Sequence, residues 1–163
     1  MVSPRLRPAS PLPAPIDYGP VRRVLAVKIV ATLTLWAFPA LLLPPEWFAT
    51  LGIPEPSLAL IVFVRLLGAA YLALVSGYLL AWRAPAKHPG AILVGIVSNG
   101  LAAMVILSVG AQGGFVSWST LGALYIWGSG LLTATLAVAL WHTGRPLLRR
   151  LAERPRSGSV RAM

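Results

Sequence analysis

Leu58–Trp82 reads LALIVFVRLLGAAYLALVSGYLLAW, and Arg83 closes it. Arg65 is its one charged residue. A helix needs about 20 apolar residues to cross a hydrocarbon core of about 30 Å, and this run is long enough. It is apolar all round, so it has no face for water. A bilayer is the solvent it fits.

Three similar runs flank it. We expect helices over about 22–43, 58–82, 89–110 and 116–141. Arg22 and Arg23 stand at the start of the first, and Pro44–Pro45 end it. Pro39 lies inside this run and predicts a kink. Lys28 sits about one turn into the apolar stretch, where its ammonium can snorkel to the headgroups. The connections 44–57, 83–88 and 111–115 are short, which makes sequential helices antiparallel neighbours. The expected fold is therefore all-α: an integral membrane four-helix bundle, up-down-up-down.

Composition agrees. The 163 residues are 57% hydrophobic and 11% charged, with a mean hydropathy of +0.77. Soluble domains carry about 25% charge. The net charge of +10 does not point to nucleic acid, because it is not gathered on a polar domain. Cysteine is absent, which excludes disulfides, thiol relays and Cys-ligated metals.

The charge instead sets orientation. Arg5, Arg7, Arg22, Arg23 and Lys28 precede or begin the first run. Arg83 and Lys87 lie in the middle loop, and Arg145, Arg149, Arg150, Arg154, Arg156 and Arg161 follow the last run. That places 13 of 14 basic residues on one side, all but Arg65. Basic residues favour the cytoplasmic side, so both termini are expected there; the excess of arginine over lysine fits a GC-rich bacterial genome, hence a bacterial plasma (inner) membrane. Trp47 and Trp118 fit the outer aromatic belt; Trp82 and Trp141 fit the inner one.

Outside the core domain of 21–142 lie two polar segments. Residues 1–20 carry Pro4, Pro8, Pro11, Pro13, Pro15 and Pro20, and are read as a disordered cytoplasmic arm. No apolar region near the start suggests a signal peptide. Residues 143–163 are read as a basic cytoplasmic tail. Leu147, Leu148 and Leu151 leave open a short amphipathic helix on anionic lipid.

Between helices in lipid, small residues permit close packing. Ala69, Ala73, Gly77 and Ala81 make one such stripe. Ala91, Gly95, Asn99 and Ala103 make a second, and Gly122, Gly130 and Ala134 a third.

The candidate ligand-binding group centres on Arg65, because an intramembrane charge is a functional signal by default. Trp36 and Tyr125 fall at its depth, Asn99 lies nearer the midplane, and Glu46 and Glu55 sit in the loop above. These six define an outward-facing polar pocket. The alternative is that Arg65 anchors its helix on a lipid phosphate or on Glu55, while Asn99 only bridges helices. His88 and His142 fall at cytoplasmic helix ends with no third ligand near, so no metal site is assigned. No cofactor is expected, and no catalytic residue: the serines and threonines of the spans have no base at working spacing. Gln112–Gly113–Gly114 is a turn and not a phosphate loop.

Pro44–Pro45, Leu51–Gly52, then Arg65–Leu66–Leu67–Gly68 with Leu72, Leu74 and Gly77, form a further pattern. Over about 22–142 it resembles the DoxX-like group of small four-helix bacterial membrane proteins. The resemblance implies association with quinone-linked oxidation or with membrane oxidoreductase complexes, and it places Arg65 and Gly68 at the group's Arg–Gly pair. The functional expectation is a membrane subunit that binds a partner protein, a second copy of itself, or a lipid- or quinone-like ligand. The alternatives are an oligomeric transporter or exporter, and a subunit of a quinone-linked oxidoreductase. A proton-coupled exporter is disfavoured, since no acid lies in a span.

Overall fold

The structure, a computed structural model, describes residues 16–152. Residues 1–15 of the proline-rich arm and 153–163 of the tail lie outside the described residues. All regular secondary structure among the described residues is helical. Four helices are long and apolar enough to cross a membrane: α1 (Gly19–Leu42), α3 (Leu58–Arg83), α4 (Pro89–Ala111) and α5 (Thr120–Ala152). A single short turn, α2 (Trp47–Thr50), lies between the first two. The chain is thus an all-α, multi-pass membrane protein.

Each helix starts where its local chemistry allows. Asp17 Oδ1 accepts the Gly19 N–H at 2.8 Å, and Pro20 occupies the first turn of α1, where a missing N–H costs nothing. Ser57 caps α3 by accepting the Leu60 N–H. Ser119 does the same for α5 through the Gly122 N–H at 3.0 Å, so that helix begins at 120 and not 116.

α1 is not uniform. Thr32–Ala37 form a π-helical turn between two α-helical pieces. Pro39 is the reason. It cannot donate to the carbonyl four residues back, Leu35, and its ring crowds that carbonyl. The chain widens instead, and the Phe38 N–H reaches back five residues to the Leu33 carbonyl.

α5 runs past the expected end near 141 and continues through Pro146 to Ala152. At 1.5 Å per residue its 33 residues span ~50 Å, well beyond a bilayer core. The extension is held by packing. Leu140, Gly144 and Leu147 share one helical face and are buried, and Leu147 joins the cluster built by Val21 and Leu25 of α1. Tertiary burial here outweighs the proline.

α1 packs along α3, and α4 packs along α5. The two pairs meet mainly through α1 and α5, and more sparsely through α3 and α4. The basic start of α1 meets the end of α3, where Arg22 Nη2 donates to the Arg83 carbonyl at 3.0 Å. The main apolar core lies toward this end: Val21, Leu25, Ile29, Val75, Tyr78, Ala81, Ile92, Leu140 and Leu147. At the other end the loops are pinned by backbone contact. Ser119 N donates to the Leu51 carbonyl at 3.2 Å. Gly52, at φ +96°, brings the chain so close that a Cβ there would stand 2.5 Å from Ser119 N.

Candidate functional site: a buried lysine and its amide

Val21, Leu25, Lys28 and Thr32 recur at spacings of four, three and four, so they share one face of α1. That face is the buried one. Lys28 is carried into the core by its neighbours and is only 3% exposed. It lies ~13 Å along the helix from Gly19. Its side chain does not turn back toward the headgroups. Nζ donates to Oδ1 of Asn99 on α4 at 2.8 Å, a residue expected near the midplane.

Three helices shape this contact. On α4, Ile92, Gly95, Asn99 and Ala103 are all buried, and Asn99 is 4% exposed. On α3, Val75, Tyr78 and Ala81 face inward. The Lys28 ammonium lies 4.5 Å from the centroid of the Tyr78 ring, a cation–π contact. The same tyrosine's hydroxyl shares a hydrogen bond of 3.3 Å with Ser98 Oγ. Gly95 makes the room. A Cβ there would stand 3.4 Å from Lys28 Cε, 3.3 Å from Tyr78 Cε1 and 3.0 Å from Leu140 Cδ1.

The electrostatics are incomplete. The acids among the described residues are Asp17, Glu46 and Glu55, and all lie outside the four long helices. The lysine therefore has an amide oxygen and an aromatic face for company, but no counter-charge. The other half of the amide is orphaned: Asn99 Nδ2 is buried without a hydrogen-bond partner among the described residues. Buried polar groups are rarely left so. A cation and an amide N–H side by side form a donor set for one oxygen-bearing acceptor.

Arg65 is arranged quite differently. Nη1 donates to the Ala40 carbonyl at 2.8 Å and Nη2 to the Leu43 carbonyl at 2.5 Å. These belong to the C-terminal turn of α1, whose carbonyls have no partner within the helix. The contact depends on Gly68, one turn along α3. A Cβ there would stand 2.8 Å from Leu41 Cγ and 3.0 Å from Ala40 Cβ. Arg65–x–x–Gly68 is thus a lock in which glycine admits the helix end and arginine caps it.

The remaining expected residues also serve the protein itself. The Tyr125 hydroxyl donates to the Leu35 carbonyl at 2.5 Å, the carbonyl that Pro39 leaves unbonded. Trp36 Nε1 donates to Ser129 Oγ at 3.4 Å, and the Trp36 ring lies 6.3 Å from that of Tyr71. Glu46 and Glu55 are exposed in the 44–57 segment, and the recorded Arg65 bonds go to carbonyls and not to them. The expected group is therefore divided: Asn99 goes with Lys28, while Arg65, Tyr125 and Trp36 fasten α1 and its neighbours. His88 is half-buried and His142 exposed, and no group of three or more metal-ligating side chains occurs among the described residues.

Sequence reasoning passed over Lys28 because Arg22 and Arg23 lie so near that snorkelling sufficed. The spacing with Val21, Leu25 and Thr32 was the available signal. Comparison with known proteins gives no matching family model, no matching curated protein and no matching solved structure.

Proposed function

We propose that this protein is a small subunit of a bacterial inner membrane that binds a lipid-soluble, oxygen-bearing ligand inside its helix bundle, at Lys28 and Asn99. The single observation behind this is the buried lysine beside an amide that, among the described residues, has nothing to donate to, with none of the described acids in the four long helices. A charge inside a membrane span is costly and is a functional signal by default. A ligand oxygen that accepts from both groups removes that cost.

An up-down-up-down bundle with both termini cytoplasmic belongs to the same reading. Support comes from the basic residues, which gather beside the helix ends joined by Arg22 and Arg83. The likeness to the DoxX-like group enters as a proposal of shared architecture. Its characteristic pair, Arg65 and Gly68, is spent on locking α3 to α1, so it argues for a common way of packing before a common chemistry.

The test is chemical. Full-length wild type and Lys28→Met are purified in mild detergent, and their organic extracts are compared with bulk membrane lipid by mass spectrometry. The expected result is one class of lipid or quinone enriched with wild type and lost from the variant. An identical extract from both proteins sinks the proposal and leaves Lys28 as a structural cation.

A further inference from the structure

Resting on that reading, we infer that the ligand is an anionic single-chain amphiphile, with a carboxylate head at Lys28 and Asn99 and its chain against the outer face of α4.

The head group follows from charge. Lysine offers three donors, and here one goes to Asn99 Oδ1 while the Tyr78 ring lies against the ammonium. Neither neighbour carries a negative charge. A neutral carbonyl ligand would satisfy a donor and leave the cation uncompensated in an apolar core. A carboxylate does both. One of its oxygens accepts from Lys28 Nζ and the other from Asn99 Nδ2, the buried donor that lacks a partner. Charge-assisted bonds of this kind are about twice as strong as neutral ones.

The tail follows from the outer face of α4. A shallow, open groove lies there, lined by α4 residues alone: Leu93, Val94, Val97, Ser98 and Leu101. Ser98 is its one polar residue, and it stands next to Asn99 in the chain. Ser98 also bonds the tyrosine whose ring covers the lysine. Of the contacts between the two helix pairs, those of α3 with α4 are the sparser. An acyl chain lies along this apolar face, with Ser98 and Tyr78 between it and Lys28.

The experiment uses the full chain in phosphatidylcholine nanodiscs, with empty discs as background. Labelled oleate, oleyl alcohol and decylbenzoquinone are titrated separately. Oleate is expected to bind saturably, with the neutral probes weaker by about tenfold or more. Lys28→Met should weaken oleate roughly ten- to 100-fold, the size of a lost charged hydrogen bond. Asn99→Asp guards against a variant that merely misfolds. It supplies the missing anion from the protein itself, so it should melt higher than wild type and no longer take up oleate. Equal binding of oleate and a neutral probe overturns the carboxylate assignment while leaving a ligand site in place. Wild-type oleate affinity in Asn99→Asp overturns it as well. Saturable binding of none of the three probes removes the ligand-site reading itself.

Discussion

Two cations lie within the apolar spans, away from the helix ends, and they are treated in opposite ways. Arg65 is half-buried, and its two recorded bonds go to carbonyls that a broken helix end would otherwise leave bare. Lys28 is buried more deeply, yet its partners are one amide oxygen and a ring. The guanidinium satisfies groups that the fold itself creates. The ammonium satisfies nothing that an apolar side chain would leave wanting, apart from Asn99, and Asn99 raises the same question. An intramembrane charge is thus informative only once its partners are known. Where the fold needs the charge, the charge is architecture. Where the fold would do better without it, something else is using it.

That contrast makes a prediction of sign. Arg65→Leu exposes two carbonyls of α1 and should cost about 2–4 kcal/mol. The pair Lys28→Met with Asn99→Leu removes a buried cation and an orphaned amide together, and should be neutral or stabilising by about 1–4 kcal/mol. Both are read as shifts in denaturation midpoint in mixed micelles. If the double variant loses as much as Arg65→Leu, the two sites are alike and the comparison breaks.

Gly68 sharpens the arginine side. A Cβ at this position stands 2.8 Å from Leu41 Cγ, so Gly68→Val must push α3 away from the end of α1. The overpacking should cost about 1–3 kcal/mol. The same displacement takes Arg65 out of reach of Ala40 and Leu43. The losses from Gly68→Val and Arg65→Leu should therefore fail to add, with the double variant about as unstable as the worse single one. Full additivity would mean that the glycine and the arginine act independently, and the lock would be two unrelated contacts.

The four long helices were legible because each contains an apolar run of membrane length, for which a bilayer is the fitting solvent. That Pro39 disturbs its helix was legible too, being a matter of one ring and one missing N–H, although the expectation was a kink and the structure has a π-helical turn. The π turn was not, since a proline says that the helix is disturbed but not that it widens, and the Tyr125 hydroxyl that takes up the Leu35 carbonyl comes from far along the chain. The start of α5 was missed, because the run of apolar residues from Val116 masked the Ser119 cap. Its end was hidden for the opposite reason. Pro146 argues for a stop, and only the packing of Leu147 on Val21 and Leu25 argues against one. Depth reckoning placed Arg65, Trp36 and Tyr125 at one level. It carried no information about which way each side chain turns, and that is what separates Asn99 from them. A helical-wheel reading of Val21, Leu25, Lys28 and Thr32 did contain the direction of the lysine.

The smallest effect isolates the part of α1 that lies between the two cations. Tyr125→Phe removes the donor to the Leu35 carbonyl and nothing else of comparable size, so it should cost about 1 kcal/mol. The cost exists only because residue 39 has no N–H to offer that carbonyl. Pro39→Ala restores the N–H and lets the turn at Thr32–Ala37 relax to an ordinary α-helix. In the Pro39→Ala background, Tyr125→Phe should then cost little, and the pair should show a coupling of much the same size as the single effect. Denaturation midpoints of the four proteins in one mixed-micelle series give the cycle. A tyrosine loss that is as large without the proline as with it would mean that Tyr125 acts elsewhere. The wide turn would then need a cause other than the proline, and the hydroxyl would rejoin Lys28 among the polar groups that the fold alone does not explain.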